Sequence, residues 1–173
     1  MITLRVFVSM IYTFLLIAGC SEQQLPVTEI THYNLDNLGG LITQDNIEFD
    51  KEISSDGFGS IKIIAAESTT VRLFETGDID IEDCRLIYRG KIRTDNFSGQ
   101  AFLEMCCGFP GKGEYFSRDL QSLVTGSVEW VTEETHFFLK KGENPDNVKL
   151  NLVINGAGTV WIDDIHLLKA PSN

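Results

Sequence analysis

From about residue 40 onward, hydrophobic and polar positions alternate in short runs, and the runs are separated by clusters of Gly, Asn and Asp. The runs are Ile47–Ile53, Ser60–Ala66, Thr70–Phe74, Cys84–Arg93, Gln100–Cys107, Thr135–Lys140, Val148–Ile154 and Val160–Leu168. A period of two with β-branched and aromatic residues predicts strands. The breaks are Ser-Asp-Gly-Phe-Gly (55–59), Thr-Gly-Asp (76–78), Asp-Asn-Phe-Ser-Gly (95–99), Lys-Gly-Glu-Asn-Pro-Asp-Asn (141–147) and Asn-Gly-Ala-Gly (155–158). These supply the positive φ angles of tight turns. No run after residue 20 sustains a helical period, although Leu120–Val124 has room for one helical turn. About eight strands with regularly spaced turns predict an all-β sandwich of two antiparallel sheets.

Alternation also assigns faces. Leu86, Tyr88, Gly90 and Ile92 point one way, and so do Ala101, Leu103, Met105 and Cys107, and Leu150, Leu152 and Ile154; these are the expected core. The opposite positions gather Arg89, Lys91, Phe102, Glu104 and Asn151 on what reads as one outer sheet face. That composition suits a polar, hydrogen-bonding groove with an apolar platform. It equally describes a solvated face whose Arg and Glu side chains pair across strands. Further aromatic candidates, Phe109, Tyr115 and Phe116, stand among Gly and Pro over 108–125, which reads as a long loop. An aromatic loop on a rigid sandwich serves as a binding device, or else covers the sandwich edge.

Charge narrows the partners. Fourteen basic residues against 25 acidic ones give a net charge of −11 over 173 residues. With no Lys/Arg cluster, such a chain repels phosphate backbones, so nucleic acid is not an expected partner. Four cysteines are too few for a disulfide scaffold, and no C-x-x-C pair marks a zinc site. If 93 and 101 pair across a turn, Cys84 and Cys107 fall about three residues out of register, so no clean cross-strand bridge is expected. His32, His136 and His166 lack a catalytic motif around them, and Gly108–Gly113 lacks P-loop spacing. Asp78-Ile-Asp-Ile-Glu-Asp83 begins like an EF-hand loop but has Asp83 where Gly is needed and Arg89 where Glu is needed. The chain is not expected to be an enzyme.

The first twenty residues, MITLRVFVSMIYTFLLIAGC, place Arg5 before the apolar run Val6–Ile17. The run has secretory-signal length and falls short of the ~20 residues of a membrane-spanning helix. Ile17-Ala18-Gly19-Cys20 resembles the lipobox of bacterial lipoproteins. The resemblance implies a signal peptide over 1–19 and a Cys20 carrying thioether-linked diacylglycerol and an acylated amino terminus. Ser21 after the cysteine implies delivery to the outer membrane. Residues 20–39 then read as the lipidated cysteine and a flexible tether, and 40–170 as the β-sandwich domain.

Gly156-Ala-Gly-Thr-Val-Trp-Ile-Asp-Asp-Ile-His-Leu-Leu168 resembles the closing strand of jelly-roll carbohydrate-binding modules of the galactose-binding-like sandwiches. Ser55–Ile63 and Gly126–Thr132 leading into Phe137–Leu139 fit the same arrangement. The resemblance covers about 45–168 and implies a non-catalytic glycan-binding domain; on the outer face assigned by alternation, Arg89, Glu104 and Asn151 are expected to meet hydroxyls, with Phe102, Tyr115 or Phe116 stacking on sugar rings. It also implies a structural Ca²⁺ tying the first and last strands, with Asp163 as the late ligand and Asp56 as an early one, beside Glu48 and Asp50. Asp163 and Asp164 at a strand end can instead cap a turn without metal. Trp130 and Trp161 are expected in the core or its rim. An envelope protein held on the same sandwich is the alternative partner to a glycan.

Overall fold

The computed structural model describes residues 26–172, so the signal-peptide and lipidation expectations for residues 1–20 lie outside the described residues. Within that range every regular element is a strand: β1 (Thr28–Tyr33), β2 (Ile47–Asp50), β3 (Ser60–Ala65), β4 (Thr69–Glu75), β5 (Cys84–Phe109), β6 (Gly113–Arg118), β7 (Val124–Thr125), β8 (Val128–Leu139) and β9 (Asn147–Pro171). All their pairings are antiparallel.

Two strands organise the molecule. β5 and β9 run beside each other over their full lengths, with Cys84 opposite Pro171 at one end and Gly108 opposite Asn147 at the other. Midway the register slips between Asp95 and Ser98, and both strands bend sharply. One half of the pair, flanked by β1, β3 and β8, builds the first sheet, with β2 beyond β3. The other half, flanked by β4, β6 and β7, builds the second. The two clusters read from the sequence as turns, 95–99 and 155–158, are therefore a crease through continuous strands.

Glycine makes the crease possible. A Cβ on Gly156 (φ 152°) would stand 2.0 Å from the carbonyl oxygen of Ser98, and one on Gly99 (φ 138°) 2.1 Å from that of Asn155. The two backbones approach closer there than any side-chain-bearing residue permits.

The sheets close face to face on a single apolar core in which Leu86, Tyr88, Ile92, Ala101, Leu103, Met105, Cys107, Leu150, Leu152 and Ile154 are all buried, as alternation predicts. Gly90 faces this core: a Cβ there would meet Leu103 of the opposite sheet at 3.7 Å, an ordinary contact. Tyr33 of β1 stacks on Phe74 of β4 at 3.7 Å, joining the sheets along one edge. Ser117 of β6 bonds to Thr135 and to the backbone of His136 on β8 along the other.

Two expectations change. Thr28–Tyr33, placed in a tether over 20–39, pairs with the end of β9, so the sandwich begins at Thr28 and not near 40. Ile30 and Tyr33 pack against the core and offset the cost of ordering a polar segment. The stretch 108–125, read as a loop, is largely hairpin, with β6 returning along β5 after the Pro110–Lys112 turn and no helix over 120–124. Cys84, Cys106 and Cys107 are buried free thiols.

Gly156→Ala is expected to lower unfolding free energy by about 3 kcal/mol, through overpacking and backbone strain. Gly142→Ala, where φ is 80° and nothing lies within 4 Å, is expected to lose about 1 kcal/mol. Urea unfolding of the two variants measures this, and equal losses would contradict the crease.

Candidate functional site

Because the strands bend, side chains outside the core on either half of β5 face opposite surfaces of the molecule. Arg89 lies in the first sheet, opposite Glu134, whose carboxylate accepts from its Nε at 2.5 Å. Lys91 is in the same sheet and pairs with Asp164 at 2.9 Å. Phe102, Glu104 and Asn151 lie on the outside of the second sheet. The expected single face of five residues is therefore split by the core. Arg89 belongs to a cross-strand ion pair and not to a groove with Glu104.

The remaining residues do converge. Glu104, opposite Asn151 on one side and Arg118 on the other, forms a polar row across three strands. Its Oε2 accepts from Arg118 Nε at 2.6 Å and its Oε1 from Asn151 Nδ2 at 3.0 Å. Glu104 and Asn151 are 7% exposed although they face away from the core. Burial of a carboxylate is tolerated here because a guanidinium and an amide satisfy it. Cys106 Sγ lies 3.7 Å from Glu104 Oε1. Burial, then the charges of Glu104 and Glu114, push its thiol up to about 11, so at neutral pH it is an S–H. The row has one orphan: Asn151 Oδ1 is buried and has no hydrogen-bond partner. An unpaired buried acceptor costs about 1–3 kcal/mol, and this one, closed to solvent, meets a donor from outside only when the side chains over it move.

Aromatic surface borders this row. Arg118 lies with its guanidinium 5.7 Å from the Phe102 ring centroid and 4.4 Å from that of Phe116. Phe102 is buried beneath it, and Phe116 is 62% exposed. Phe116 also lines a cavity of about 360 Å³ with Phe109, Tyr115, Phe137 and Phe138. Tyr115 meets Phe109 edge-on at 5.9 Å and thus sits in the cavity wall, not in the polar row. The structure brings Phe102, Glu104, Phe116 and Asn151 together and adds Arg118, which the sequence reading did not name. Its signal was the alternation Glu114, Phe116, Arg118, hidden by reading that stretch as a loop. Trp161 is buried, donates from Nε1 to Asp50 at 3.0 Å, and offers no stacking face.

The calcium expectation requires oxygens gathered about Asp56 and Asp163. Asp163 is fully buried, but backbone N–H groups point at it: Ser55 N donates to Oδ2 at 2.8 Å and Asp164 N to Oδ1 at 2.9 Å. Burial pushes its carboxyl above the usual range against the pull of those bonds. Asp56 instead closes its own turn through Ser54 and the Phe58 N–H. Asp50 accepts from Glu52 and Ile53, and Glu48 pairs with Lys62. This arrangement does not fit a calcium cage, which needs six to eight oxygens facing the ion. Asp163 ties the 54–58 turn to the closing strand by hydrogen bonds.

No protein-family model matches this chain, and no curated protein does. Solved structures show what the fold is similar to. The CBM22-1–GH10 modules of the Clostridium thermocellum endo-1,4-β-D-xylanase 10B, complexed with xylohexaose, align with a TM-score of 0.61 at 12% identity over 81% of this chain, which spans 28% of that one. The CBM22-1 xylan-binding domain from Paenibacillus barcinonensis Xyn10C aligns with a TM-score of 0.54 at 10% identity, over 86% of this chain and 95% of that chain. The Stig cyclase Fisc from Fischerella sp. TAU also aligns, with a TM-score of 0.55 at 12% identity over 83% and 85% of the two chains. The chain thus has the jelly-roll β-sandwich fold of carbohydrate-binding modules, a fold that a cyclase shares.

Melting temperatures in excess Ca²⁺ and in excess EDTA are expected to agree, whereas Asp163→Ala is expected to cost about 1–3 kcal/mol in both. A rise with Ca²⁺ that Asp163→Ala abolishes would restore the metal.

Proposed function

We propose that this protein is a non-catalytic, carbohydrate-binding lipoprotein of the bacterial envelope, and that the outside of its second sheet is the glycan site. The observation that carries the reading is the row Arg118–Glu104–Asn151 beside Phe102 and Phe116, with Asn151 Oδ1 buried and unpaired. A sugar is a ring of hydroxyl donors with apolar C–H faces. One hydroxyl donating to Asn151 Oδ1 satisfies the orphan once the side chains that close it from solvent move aside, while a ring face resting on Phe116 removes apolar area from water. Charge-assisted bonds from Arg118 hold further hydroxyls. Modules of similar fold that bind xylan support the class of ligand, and xylan is the first polysaccharide to try.

The aromatic cavity supports the alternative, a protein partner held at the envelope. Phe138 at 58% exposure and Tyr115 at 52% continue the apolar surface past Phe116.

Anchoring follows from the lipobox. Cys20 takes the acyl chains and delivers the domain to the outer membrane; multiple chains give a stable attachment. With β1 beginning at Thr28, the intervening chain spans at most about 28 Å, which keeps the sandwich close to the lipid.

Affinity electrophoresis through soluble xylan, mannan and other polysaccharides tests the site. Binding is expected to weaken at least about tenfold in Asn151→Ala and in Phe116→Ala, the loss of roughly one hydrogen bond or one stacking face. Arg89→Ala, on the far surface, is expected to bind like the unaltered chain. Retention by no polysaccharide would move the weight to the protein-partner alternative. Cys20→Ser is expected to shift the bacterially expressed protein from the detergent phase to the aqueous phase on Triton X-114 partition; an unchanged distribution would count against lipidation.

A further inference from the structure

We propose that Glu29, His32 and His166 form a binding site for a divalent transition cation of the zinc class on the outside of the first sheet. Pairing of β1 with the end of β9 sets His32 directly opposite His166. The two imidazoles stack with centroids 4.1 Å apart and planes 5° from parallel. One ligand atom from each of Glu29, His32 and His166 lies within 4.8 Å of the other two.

The hydrogen bonds define which ring nitrogens are free. Nε2 of His32 lies 2.9 Å from Asp164 Oδ1, and Nε2 of His166 lies 3.0 Å from the same oxygen. An ionised carboxylate only accepts, so both Nε2 atoms carry their protons. In a neutral ring Nδ1 is then a lone pair. His166 Nδ1 lies 2.7 Å from Glu29 Oε2, a contact of two acceptors unless a positive charge stands between them. A cation there satisfies both. Histidines that bind a metal through one nitrogen regularly give the other N–H to a carboxylate, which fixes ring and tautomer. Asp164 does this for both rings at once. Its residue adopts φ 51°, which Asp tolerates better than most, and its second oxygen is held by Lys91 at 2.9 Å.

The donor set selects the ion. Two imidazoles and one carboxylate suit Zn²⁺, Cu²⁺ or Ni²⁺, while Ca²⁺ and Mg²⁺ require oxygen shells. Three protein ligands leave a fourth position for water. Ligands of a tetrahedral zinc stand about 3.3 Å apart, so His166 Nδ1 and Glu29 Oε2, at 2.7 Å, open slightly, and the exposed His32 swings out of its stack on His166 to aim a lone pair at the same ion. The cations facing the site are already paired: Lys91 with Asp164, and Arg89, opposite His166, with Glu134. A bound ion would clip the first strand to the last.

The test uses the chain purified without a polyhistidine tag and Zn²⁺ as the probe. Titration calorimetry is expected to show one site, and Zn²⁺ but not Ca²⁺ is expected to raise the melting temperature. Co²⁺ in its place is expected to give the visible d–d bands of low coordination. His166→Gln and Glu29→Gln, each verified as folded by circular dichroism, are expected to lose at least about tenfold in affinity. His136→Gln on β8 keeps it. Zn²⁺ binding equally strong in His166→Gln, or none in the folded unaltered chain, would overturn the site and leave the Glu29–His166 contact as an imidazolium–carboxylate pair.

Discussion

The structure depends on the close approach of two backbones where β5 and β9 crease together. Gly99 and Gly156 face each other there with carbonyl oxygens near 2 Å from where side chains would begin. Each long strand must serve both layers, so its alternation has to keep an apolar face inward on both sides of the bend. It does: Leu86, Tyr88 and Ile92 before the crease and Ala101, Leu103 and Met105 after it enter one core. The outward positions then separate onto opposite surfaces. Two residues on one strand, Arg89 and Glu104, end with the core between them.

That separation gives the two outer surfaces different chemistries. The first sheet carries cross-strand ion pairs and the stacked histidines. The second carries a buried carboxylate whose oxygens are shared by an arginine, an amide and a thiol. Networks of this kind hold side chains in fixed positions, and they are favourable only when their members are satisfied. Asn151 Oδ1 is the exception among them. A preorganised polar row with one unpaired buried acceptor, flanked by an exposed ring, suits a hydroxyl-rich ligand better than a charged one. The net charge of −11 points the same way, since it disfavours anionic partners.

Much of this was legible in the sequence. Alternation identified the core positions of β5 and β9 and the sandwich class, because burial on one face imposes a period of two. The closing Trp-Ile-Asp-Asp-Ile pattern led to the same fold that the solved structures share. What escaped was geometry between segments. Gly-rich clusters read equally as turns or as a crease, since both require positive φ, and only the partner strand distinguishes them. Arg89 was grouped with Glu104 for that reason. β1 escaped because Thr28–Tyr33 is polar by composition, and the apolar contacts it makes with the core come from Ile30 and Tyr33. Arg118 escaped because Gly and Pro on either side of Phe109 made its hairpin resemble a loop. The calcium expectation came from the resemblance, and here backbone N–H groups face Asp163 where a cage would have carbonyls.

The measurement that tests the glycan face most directly is a two-dimensional NMR titration of the ¹⁵N-labelled protein with xylohexaose, or with whichever polysaccharide fragment it retains. The side-chain amide of Asn151 and the Nε–H of Arg118 are resolved probes of the polar row, and the Nε–H of Arg89 reports the opposite surface. Saturable shifts at Asn151 and Arg118 with none at Arg89 are the predicted result. Shifts centred on Arg89 or on the Phe137–Phe138 cavity, with Asn151 unmoved, would contradict it.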